Sequence, residues 1–225
     1  MRTLLAMFAK LWTPGQVKTR LAVSLGPERA AAIQRLFVET LATRFGQTAD
    51  DRLIVFTPPA AETEFRDVVQ DRWRLSPQAD GDLGYRIRTF FEQALTHFDQ
   101  VVLIGSDSPD LPAEFVSDAF AALQSHNVVL GPAQDGGYYL VGAARIAPPI
   151  FDEVPWSTAQ VWPQTIARLR ARNCRWHELP AWFDVDEIHD LRALAERLVD
   201  TQHREGELAR LYHRLQGLLS EGSGE

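Results

Sequence analysis

Short, continuous apolar runs recur along the chain. The first covers residues 4–9 and is followed by a loop that contains Pro14 and Gly15. A strand in the middle of a parallel sheet has this character, because neither of its faces meets water. The runs predict strands at residues 4–9, 53–56, 101–104 and 128–130, with a shorter strand at 72–75.

Between these runs, apolar residues recur every three or four positions, which is the spacing of one face of an α-helix. The clearest example begins at Gly26-Pro27, where Ile33, Leu36, Phe37 and Leu41 follow that spacing. We predict a first long helix there and further helices over 62–70, 83–98, 113–124, 158–172 and 191–218. Residues 10–20 are expected to form a loop.

The alternation of strands and helices predicts an α/β fold: a Rossmann-like, three-layer α/β/α arrangement around a mostly parallel mixed sheet. The run 138–142 follows the run 128–130 too closely for a crossover helix, so its strand is expected to be antiparallel or peripheral. There is no internal repeat and no obvious linker. We therefore expect a single domain over residues 1–219, followed by a polar, glycine-rich and flexible tail over 220–225.

Composition excludes several classes of protein. The 225 residues carry a formal net charge of −7, which argues against non-specific nucleic-acid binding but allows a small phosphorylated ligand. No apolar run has the length of a membrane span or of a signal-peptide core, so we expect a cytoplasmic protein. The single cysteine, Cys174, excludes an intrachain disulfide. The oligomeric state stays open.

The loop after the first strand carries three cations, Lys10, Lys18 and Arg20, together with Gly15 and Thr19. In open α/β sheets, the loop between a strand and the next helix is where phosphate groups meet backbone amides. We predict that this loop binds nucleotide phosphates. Its glycine and lysine spacing does not fit an ATPase P-loop, and a basic surface loop is the alternative.

Carboxylates follow the strand at 101–104 and precede the last helices. Asp107 falls at the carboxyl end of its strand, and Asp186 ends the sequence Asp184-Val185-Asp186, whose alternate carboxylates share a side if it is extended. Magnesium prefers such oxygen ligands, so a metal site is predicted. The alternative is helix capping, which is favoured for Asp110 and competes for Asp186 and Asp190.

Three other segments have an equally good structural explanation. Asp135-Gly136-Gly137-Tyr138 lets a ligand approach the backbone closely, but it is also a hairpin signal. Gly81 and Asp82 could contact a ligand or form a turn that caps the next helix. Trp156 could pack at a helix start or belong to a loop that closes over an acceptor.

Taken together, these segments resemble a bacterial family of the nucleotide-diphospho-sugar transferase superfamily, formerly a domain of unknown function and often labelled glycosyltransferases. The resembling motifs are, in chain order, Lys10 with Pro14-Gly15-Gln16-Val17-Lys18-Thr19-Arg20-Leu21, Gly81-Asp82-Leu83-Gly84, residues 105–112, residues 134–140, and Asp184-Val185-Asp186. The last motif also resembles a stretch of molybdenum-cofactor nucleotidyltransferases. The Lys18-Thr19-Arg20-Leu21 stretch is similar to one in phospholactate guanylyltransferases.

The resemblance implies a glycosyltransferase-A fold with Mg²⁺ or Mn²⁺ held by Asp107 and Asp186. It implies nucleotide contacts from a set of loop residues: Lys10, Gly15, Lys18, Thr19, Arg20, Gly81, Asp82 and Ser106. It implies an acceptor site formed by Gly136, Gly137, Tyr138 and Trp156. Two departures from the family pattern are Trp12-Thr13, where members often have a second proline, and Glu187-Ile188-His189.

Two reactions fit this site, and both take a nucleotide or nucleotide sugar and a small-molecule acceptor. In nucleotidyl transfer, an acceptor phosphate attacks the α-phosphorus of a nucleoside triphosphate while Lys18, Arg20 and the metal neutralise charge. In glycosyl transfer, Asp135 would act as base for an acceptor hydroxyl. A non-catalytic nucleotide-binding domain is a third possibility, but it would not need the Asp107 and Asp186 carboxylates.

Overall fold

The computed structural model describes residues 1–134, 136–145, 150–151, 154, 158, 160–201 and 206–220. Within these residues the chain forms seven strands and eight α-helices, with 3-10 turns at 59–61, 70–72 and 199–201. The strands are β1 (Thr3–Lys10), β2 (Asp51–Thr57), β3 (Arg74–Pro77), β4 (Gln100–Ile104), β5 (Val128–Pro132), β6 (Tyr138–Ala144) and β7 (Trp176–Glu178). The helices are α1 (Thr19–Leu25), α2 (Pro27–Arg44), α3 (Glu62–Val69), α4 (Leu83–Ala94), α5 (Ala113–Ala122), α6 (Val161–Ala171), α7 (Ile188–Leu198) and α8 (Glu207–Ser220).

The strands form one sheet in the order β3-β2-β1-β4-β6-β5-β7. β6 runs antiparallel to both of its neighbours, β4 and β5, whereas all other pairs are parallel. The short connection between β5 and β6 allows only a hairpin, because a parallel pairing would need a crossover. The predicted mixed sheet with one antiparallel strand is therefore confirmed.

Both faces of the sheet are buried, as the continuous apolar runs indicate. In β1, Leu5 and Met7 pack in a cluster with apolar residues of α2, α3 and α5. The alternate residues Leu4 and Ala6 pack on the other face with residues of α4 and α6. This alternation of side chains between two helical layers confirms the three-layer α/β/α architecture.

A third apolar cluster lies outside the α2 layer. Phe37 of α2, Leu194 of α7 and Leu211 of α8 meet there, together with Leu21 of α1 and Val185. All five side chains are fully buried. The cluster anchors the segment around Val185 against α1 and α2, on the side of the sheet where the first loop ends.

Several element boundaries differ from the predictions. The predicted helix over 191–218 is two helices, α7 and α8, and α4 ends at Ala94 rather than at residue 98. Residues 19–25, of which 19 and 20 were expected to belong to a loop, form α1, and the short edge strand β7 was not predicted. None of the described helices is long and apolar enough to cross a membrane.

Candidate active site

The candidate site lies where the strand order of the sheet reverses. β1 and β4 are parallel neighbours, and the chain proceeds from β1 to β2 on one side but reaches β4 on the other. Open α/β sheets bind ligands outside the carboxyl ends of the strands at such a point. Lys10 ends β1 there, and the loop that carries Asp107 leaves β4 beside it.

Two cavities open at this edge and share a wall. One, the basic cavity, is about 350 Å³, and its described lining includes Lys10, Lys18 and Arg86. The other, the tyrosine cavity, is about 340 Å³, and its lining includes Leu83, Ile87, Gly137, Tyr138, Val161 and Asp184. The residues common to both linings are Phe8, Leu83, Ser106, Asp107 and Asp186. The two predicted metal ligands therefore stand between the cavities.

Asp107 and Asp186 converge on one cation, the ammonium of Lys18. Lys18 Nζ donates to Asp107 Oδ1, to Asp186 Oδ1 at 3.3 Å and to the backbone oxygen of Val185 at 2.8 Å. These three acceptors match the three protons of an ammonium group. Lys18 is 89 residues from Asp107 and 168 residues from Asp186 along the chain, so only the fold brings them together.

The Lys18 ammonium is buried but charged. Its side chain is 3% exposed, whereas those of Asp107 and Asp186 are 45% and 42% exposed. Burial alone lowers the pKa of Lys18, but the charges of Asp107 and Asp186 and the hydrogen bonds to them outweigh burial and raise this pKa above its ordinary value. The lysine is therefore protonated at neutral pH.

The backbone at Lys18 is unusual for a residue with a side chain. Lys18 precedes the first turn of α1 in the left-handed region, with φ 46° and ψ 43°. This conformation costs about 1–2 kcal/mol for a residue other than glycine. Non-glycine residues in such strained conformations cluster at functional sites. Here the left-handed backbone conformation is the one in which the Lys18 side chain contacts the Asp107 and Asp186 carboxylates.

Backbone and side-chain bonds tie the two carboxylate segments together. Val185 N donates to the backbone oxygen of Asp107 at 3.0 Å, and Ser108 Oγ donates to Asp184 Oδ1 at 2.7 Å. Because Val185 is also buried in the third apolar cluster, the Asp184-Val185-Asp186 segment is held on both sides. Asp184 is therefore engaged with Ser108, while Asp186 is the carboxylate that faces Lys18.

The loop from β4 to α5 is held by two arginine side chains, and the contact with one of them corrects the interpretation of Asp110 as a helix cap. Asp110 Oδ2 accepts from Arg197 Nε at 2.7 Å, and α5 has Pro112 at its N-cap position without a side-chain cap. Arg44 donates to the backbone oxygens of Pro109 and Leu111. For Asp190 the capping interpretation is confirmed, since its carboxylate accepts from the Asp186 and Glu187 amides.

The basic cavity is also lined by Arg86, a cation that was not predicted to belong to the site. Arg86 Nε donates to the Gly81 oxygen at 2.8 Å, and Arg86 Nη1 donates to Gln78 Oε1 at 3.2 Å. The sequence signal that could have identified Arg86 is its position in the first turn of α4, one turn after Asp82. The two predicted nucleotide-binding lysines, Lys10 and Lys18, are the only lysines in the sequence, and both line this cavity.

Other residues of the first loop lie outside the two cavities. Gly15, Thr19 and Arg20 are exposed, and none of them is among the described lining residues of either cavity. Pro14 and Gly15 occupy a turn that the Gln16 N to Thr13 O bond closes, and Gly15 has the positive φ of 76° that such a turn requires. Phosphate contacts from Gly15, Thr19 and Arg20 stay predictions.

The Gly81-Asp82 segment forms a turn and a helix cap. Asp82 Oδ1 accepts from the Tyr85 amide at 2.8 Å, as an N-cap side chain does. Gly81 has φ 123°, a conformation that residues with side chains rarely adopt. The capping alternative is thus confirmed for Asp82. Neither residue is among the described lining residues of the basic cavity or the tyrosine cavity, and their contact with a nucleotide stays a prediction.

The predicted acceptor residues are placed only in part. Gly137 and Tyr138 line the tyrosine cavity, and Gly136 precedes them with φ 93°. The Tyr138 hydroxyl lies 3.1 Å from Thr165 Oγ1. Burial raises the pKa of Tyr138 to about 12, so its hydroxyl is neutral at physiological pH. Asp135, the predicted base, and Trp156 lie outside the described residues.

The carboxylate pair fits a hard divalent cation. Asp107 and Asp186 each direct an oxygen at the same ammonium position, and both are half-exposed to the cleft. Among the described residues there is no group of three or more His, Cys, Asp or Glu side chains placed to hold a metal. Magnesium sites in phosphoryl-transfer enzymes commonly use one or two carboxylates and complete the coordination with substrate phosphates and water.

Fold and cleft together define a protein with the architecture of nucleotidyltransferases and nucleotide-diphospho-sugar transferases. The chain belongs to the DUF2064 family, described as uncharacterized proteins conserved in bacteria, whose profile matches residues 40–158, just over half of the chain. No curated protein matches the sequence.

Three solved structures illustrate the similarity. A protein from Desulfovibrio desulfuricans G20, provisionally assigned as a nucleotide-diphospho-sugar transferase, is 32% identical over 97% of each chain, with a TM-score of 0.88. A cytidylyltransferase from Leptospira borgpetersenii is 12% identical over 100% of this chain and 98% of its own, with a TM-score of 0.60. Rv0371c from Mycobacterium tuberculosis, solved in complex with manganese, is 15% identical over 87% and 99%, with a TM-score of 0.51.

Proposed function

We propose that this chain is a divalent-metal-dependent transferase that uses a nucleotide-activated donor, and that nucleotidyl transfer from a nucleoside triphosphate is the reaction best supported. The observation that carries the proposal is the position of the Asp107 and Asp186 carboxylates in the wall between two cavities. Phosphates on one side and an acceptor on the other would meet at this wall. That arrangement suits transfer between two bound ligands.

The charges around the basic cavity favour a triphosphate. Lys10, Lys18 and Arg86 line it, whereas the tyrosine cavity has no lysine or arginine among its described lining residues. A nucleoside triphosphate carries more negative charge than the diphosphate of a nucleotide sugar, so it gains more from three cations. We therefore assign the donor phosphates to the basic cavity and the acceptor to the tyrosine cavity.

The chemistry needs no covalent intermediate on the protein. An acceptor oxygen attacks the α-phosphorus, the bond from that phosphorus to the bridging oxygen breaks, and pyrophosphate leaves with the bond electrons. Asp107 and Asp186 would hold a divalent ion, which would supply Lewis-acid stabilisation of the phosphate oxygens. Lys10 and Arg86 orient the donor phosphates, and the neutral hydroxyl of Tyr138 offers the acceptor a hydrogen-bonding group.

Glycosyl transfer is the second candidate. It is favoured by the 32% identity to the provisionally assigned nucleotide-diphospho-sugar transferase over nearly the whole chain. The same carboxylate pair would then hold the metal beside the diphosphate of a nucleotide sugar, and Asp135 would be the candidate base. The two reactions differ in the bond that breaks, and consequently in the product that is released.

The test is a turnover measurement with Mg²⁺, nucleoside triphosphates or nucleotide sugars, and candidate acceptors, in which pyrophosphate and nucleoside diphosphate are both monitored. Nucleotidyl transfer releases pyrophosphate, and glycosyl transfer releases the diphosphate. Asp107→Asn preserves the side-chain shape and should lower turnover about a hundredfold or more, because it removes a ligand charge. Asp51→Asn is the matched control, since Asp51 pairs with Arg2 at the opposite end of the sheet.

Nucleotide binding without any turnover would instead favour a non-catalytic nucleotide-binding domain. Equal turnover by wild type and Asp107→Asn would exclude the proposed metal ligand.

A further inference from the structure

The cation position between the two predicted metal ligands is filled by the protein itself. Lys18 Nζ contacts one carboxylate oxygen of Asp107 and one of Asp186, and Val185 supplies the third acceptor. The Lys18 side chain is only 3% exposed, so water cannot replace these partners of the ammonium. A divalent ion bridging the same two oxygens would lie within a few ångströms of Nζ, where two cations repel strongly.

The choice of lysine at this position is itself informative. The sequence has 23 lysine and arginine residues, yet Lys10 and Lys18 are its only lysines, and both line the basic cavity. An arginine holds a planar, rigid group of donors, whereas a lysine presents a compact charge on a flexible four-carbon stem. A lysine can therefore transfer its charge between two nearby sets of acceptors without movement of the backbone.

We propose that Lys18 is a displaceable occupant of the metal site. In the nucleotide-free protein its ammonium neutralises Asp107 and Asp186, and the pair has low affinity for a divalent ion. Donor phosphates in the basic cavity then provide new acceptors for the ammonium, and the carboxylates become available to the metal. This inference rests on the proposed function and adds an order of events to it: metal and nucleotide bind together rather than metal first.

Electrostatics explain why the nucleotide favours the exchange. Moving a buried ammonium away from two carboxylates without new partners is costly, because both the cation and the carboxylates lose their compensation. A phosphate in the basic cavity removes that cost, since charge-assisted bonds from lysine to phosphate replace those to Asp107 and Asp186. Lys18 lines the cavity already, so the required movement is confined to its side chain.

The first experiment measures Mn²⁺ binding to the nucleotide-free protein through the paramagnetic resonance signal of free Mn²⁺. Lys18→Met removes the competing charge and preserves an apolar stem of similar length. We expect it to bind Mn²⁺ about tenfold more tightly than wild type, or better. Lys10→Met is the matched control: it removes the same charge from the same cavity, but Lys10 donates to the Gln16 backbone oxygen.

We expect the affinity of Lys10→Met to stay within about threefold of wild type. Equal or weaker Mn²⁺ binding by Lys18→Met than by wild type would overturn the proposal, as would equal gains in the two variants. Adding Asp107→Asn to Lys18→Met should abolish the gain. The gain appears in the absence of nucleotide and acceptor, so it is independent of turnover. A protein that shows the gain but no transfer would refute the proposed reaction alone.

A second experiment uses the wild-type chain and does not depend on the folding of a variant. An acylating amine reagent followed by mass spectrometry reports Lys10 and Lys18 separately, because the chain has no other lysine. In metal-free protein, the exposed Lys10 should react and the buried Lys18 should be protected. Mn²⁺ at a concentration high enough to saturate even this low-affinity site should displace the ammonium and increase Lys18 acylation several-fold relative to Lys10. Occupancy of the metal site with Lys18 still protected would contradict displacement.

Discussion

The ion pair between Asp110 and Arg197 yields a prediction that separates two interpretations of the same residue. Asp110 is 6% exposed at its side chain, Arg197 is 25% exposed, and Arg197 Nε lies 2.7 Å from Asp110 Oδ2. Arg44 also lies close enough for the charge of Asp110 to oppose the burial that lowers the pKa of Arg44. Asp110→Ala therefore leaves two guanidinium groups without their shared carboxylate.

The expected loss of stability follows from that geometry. Removing one partner of a buried pair typically costs about 3–5 kcal/mol, and a quarter-exposed Arg197 can regain some hydration, so we expect about 3 kcal/mol. Loss of a helix cap would cost only about 1 kcal/mol. Arg197→Met should be milder than Asp110→Ala, because Asp110 then keeps the charge of Arg44 as a partner.

Urea unfolding followed by circular dichroism measures these differences. The slope of the free energy of unfolding against urea concentration should be the same in all variants. Glu62→Ala is the control, since it breaks a pair with Arg66 whose side chains are 55% and 63% exposed, and should cost less than about 0.5 kcal/mol. A loss of 1 kcal/mol or less for Asp110→Ala would refute the ion-pair argument.

Three further predictions concern packing, binding and pH. Gly142→Ala should destabilise the protein by about 2 kcal/mol in urea unfolding, because the new Cβ would lie 2.6 Å from Val129 Cγ1. Gly217→Ala is the control and should not destabilise the protein, because nothing lies within 4 Å of that position in α8. Arg86→Met should weaken triphosphate binding about tenfold and leave nucleoside binding unchanged, as measured by calorimetry. Equal weakening of both would show that Arg86 does not contact the phosphates. The pKa of Tyr138 is raised from 10.0 to about 12 in the folded protein. The stability that the buried neutral phenol contributes is fully present below pH 10 and should be lost as the pH rises towards 12, at up to about 1.4 kcal/mol per pH unit. Tyr138→Phe should lack that part of the loss. If the free energy of unfolding of Tyr138→Phe depended on pH above pH 10 as steeply as that of wild type, the phenol would not be buried.

The strands could be predicted from the sequence because their signal is local. A strand covered on both faces needs apolar residues at nearly every position, and β1, β2, β4 and β5 have them. The antiparallel direction of β6 also followed from a local quantity, the few residues that separate it from β5. Turn and cap chemistry was local as well, as Gly15 and Asp82 show.

The elements that were missed depend on partners far away in the chain. α1 has seven residues and one buried side chain, Leu21, whose contacts come from α2, α7 and α8. β7 has three residues and exists as a strand because β5 offers it a free edge. The helices α7 and α8 were predicted as one, because apolar residues recur at helical spacing both before and after the polar residues 200–207.

The composition of the candidate site was partly encoded in the sequence, and its electrostatics were decided by the tertiary structure. A carboxylate directly after a buried strand lies at the ligand-binding edge of the sheet, and Asp107 does so. That Lys18 would satisfy all three of its protons on Asp107, Val185 and Asp186 could not be deduced, because charge pairing depends on distances across 89 and 168 residues. The fold also turns Arg20 outward, brings Arg86 in and pairs Asp110 with Arg197, since burial and approach are properties of the packed layers.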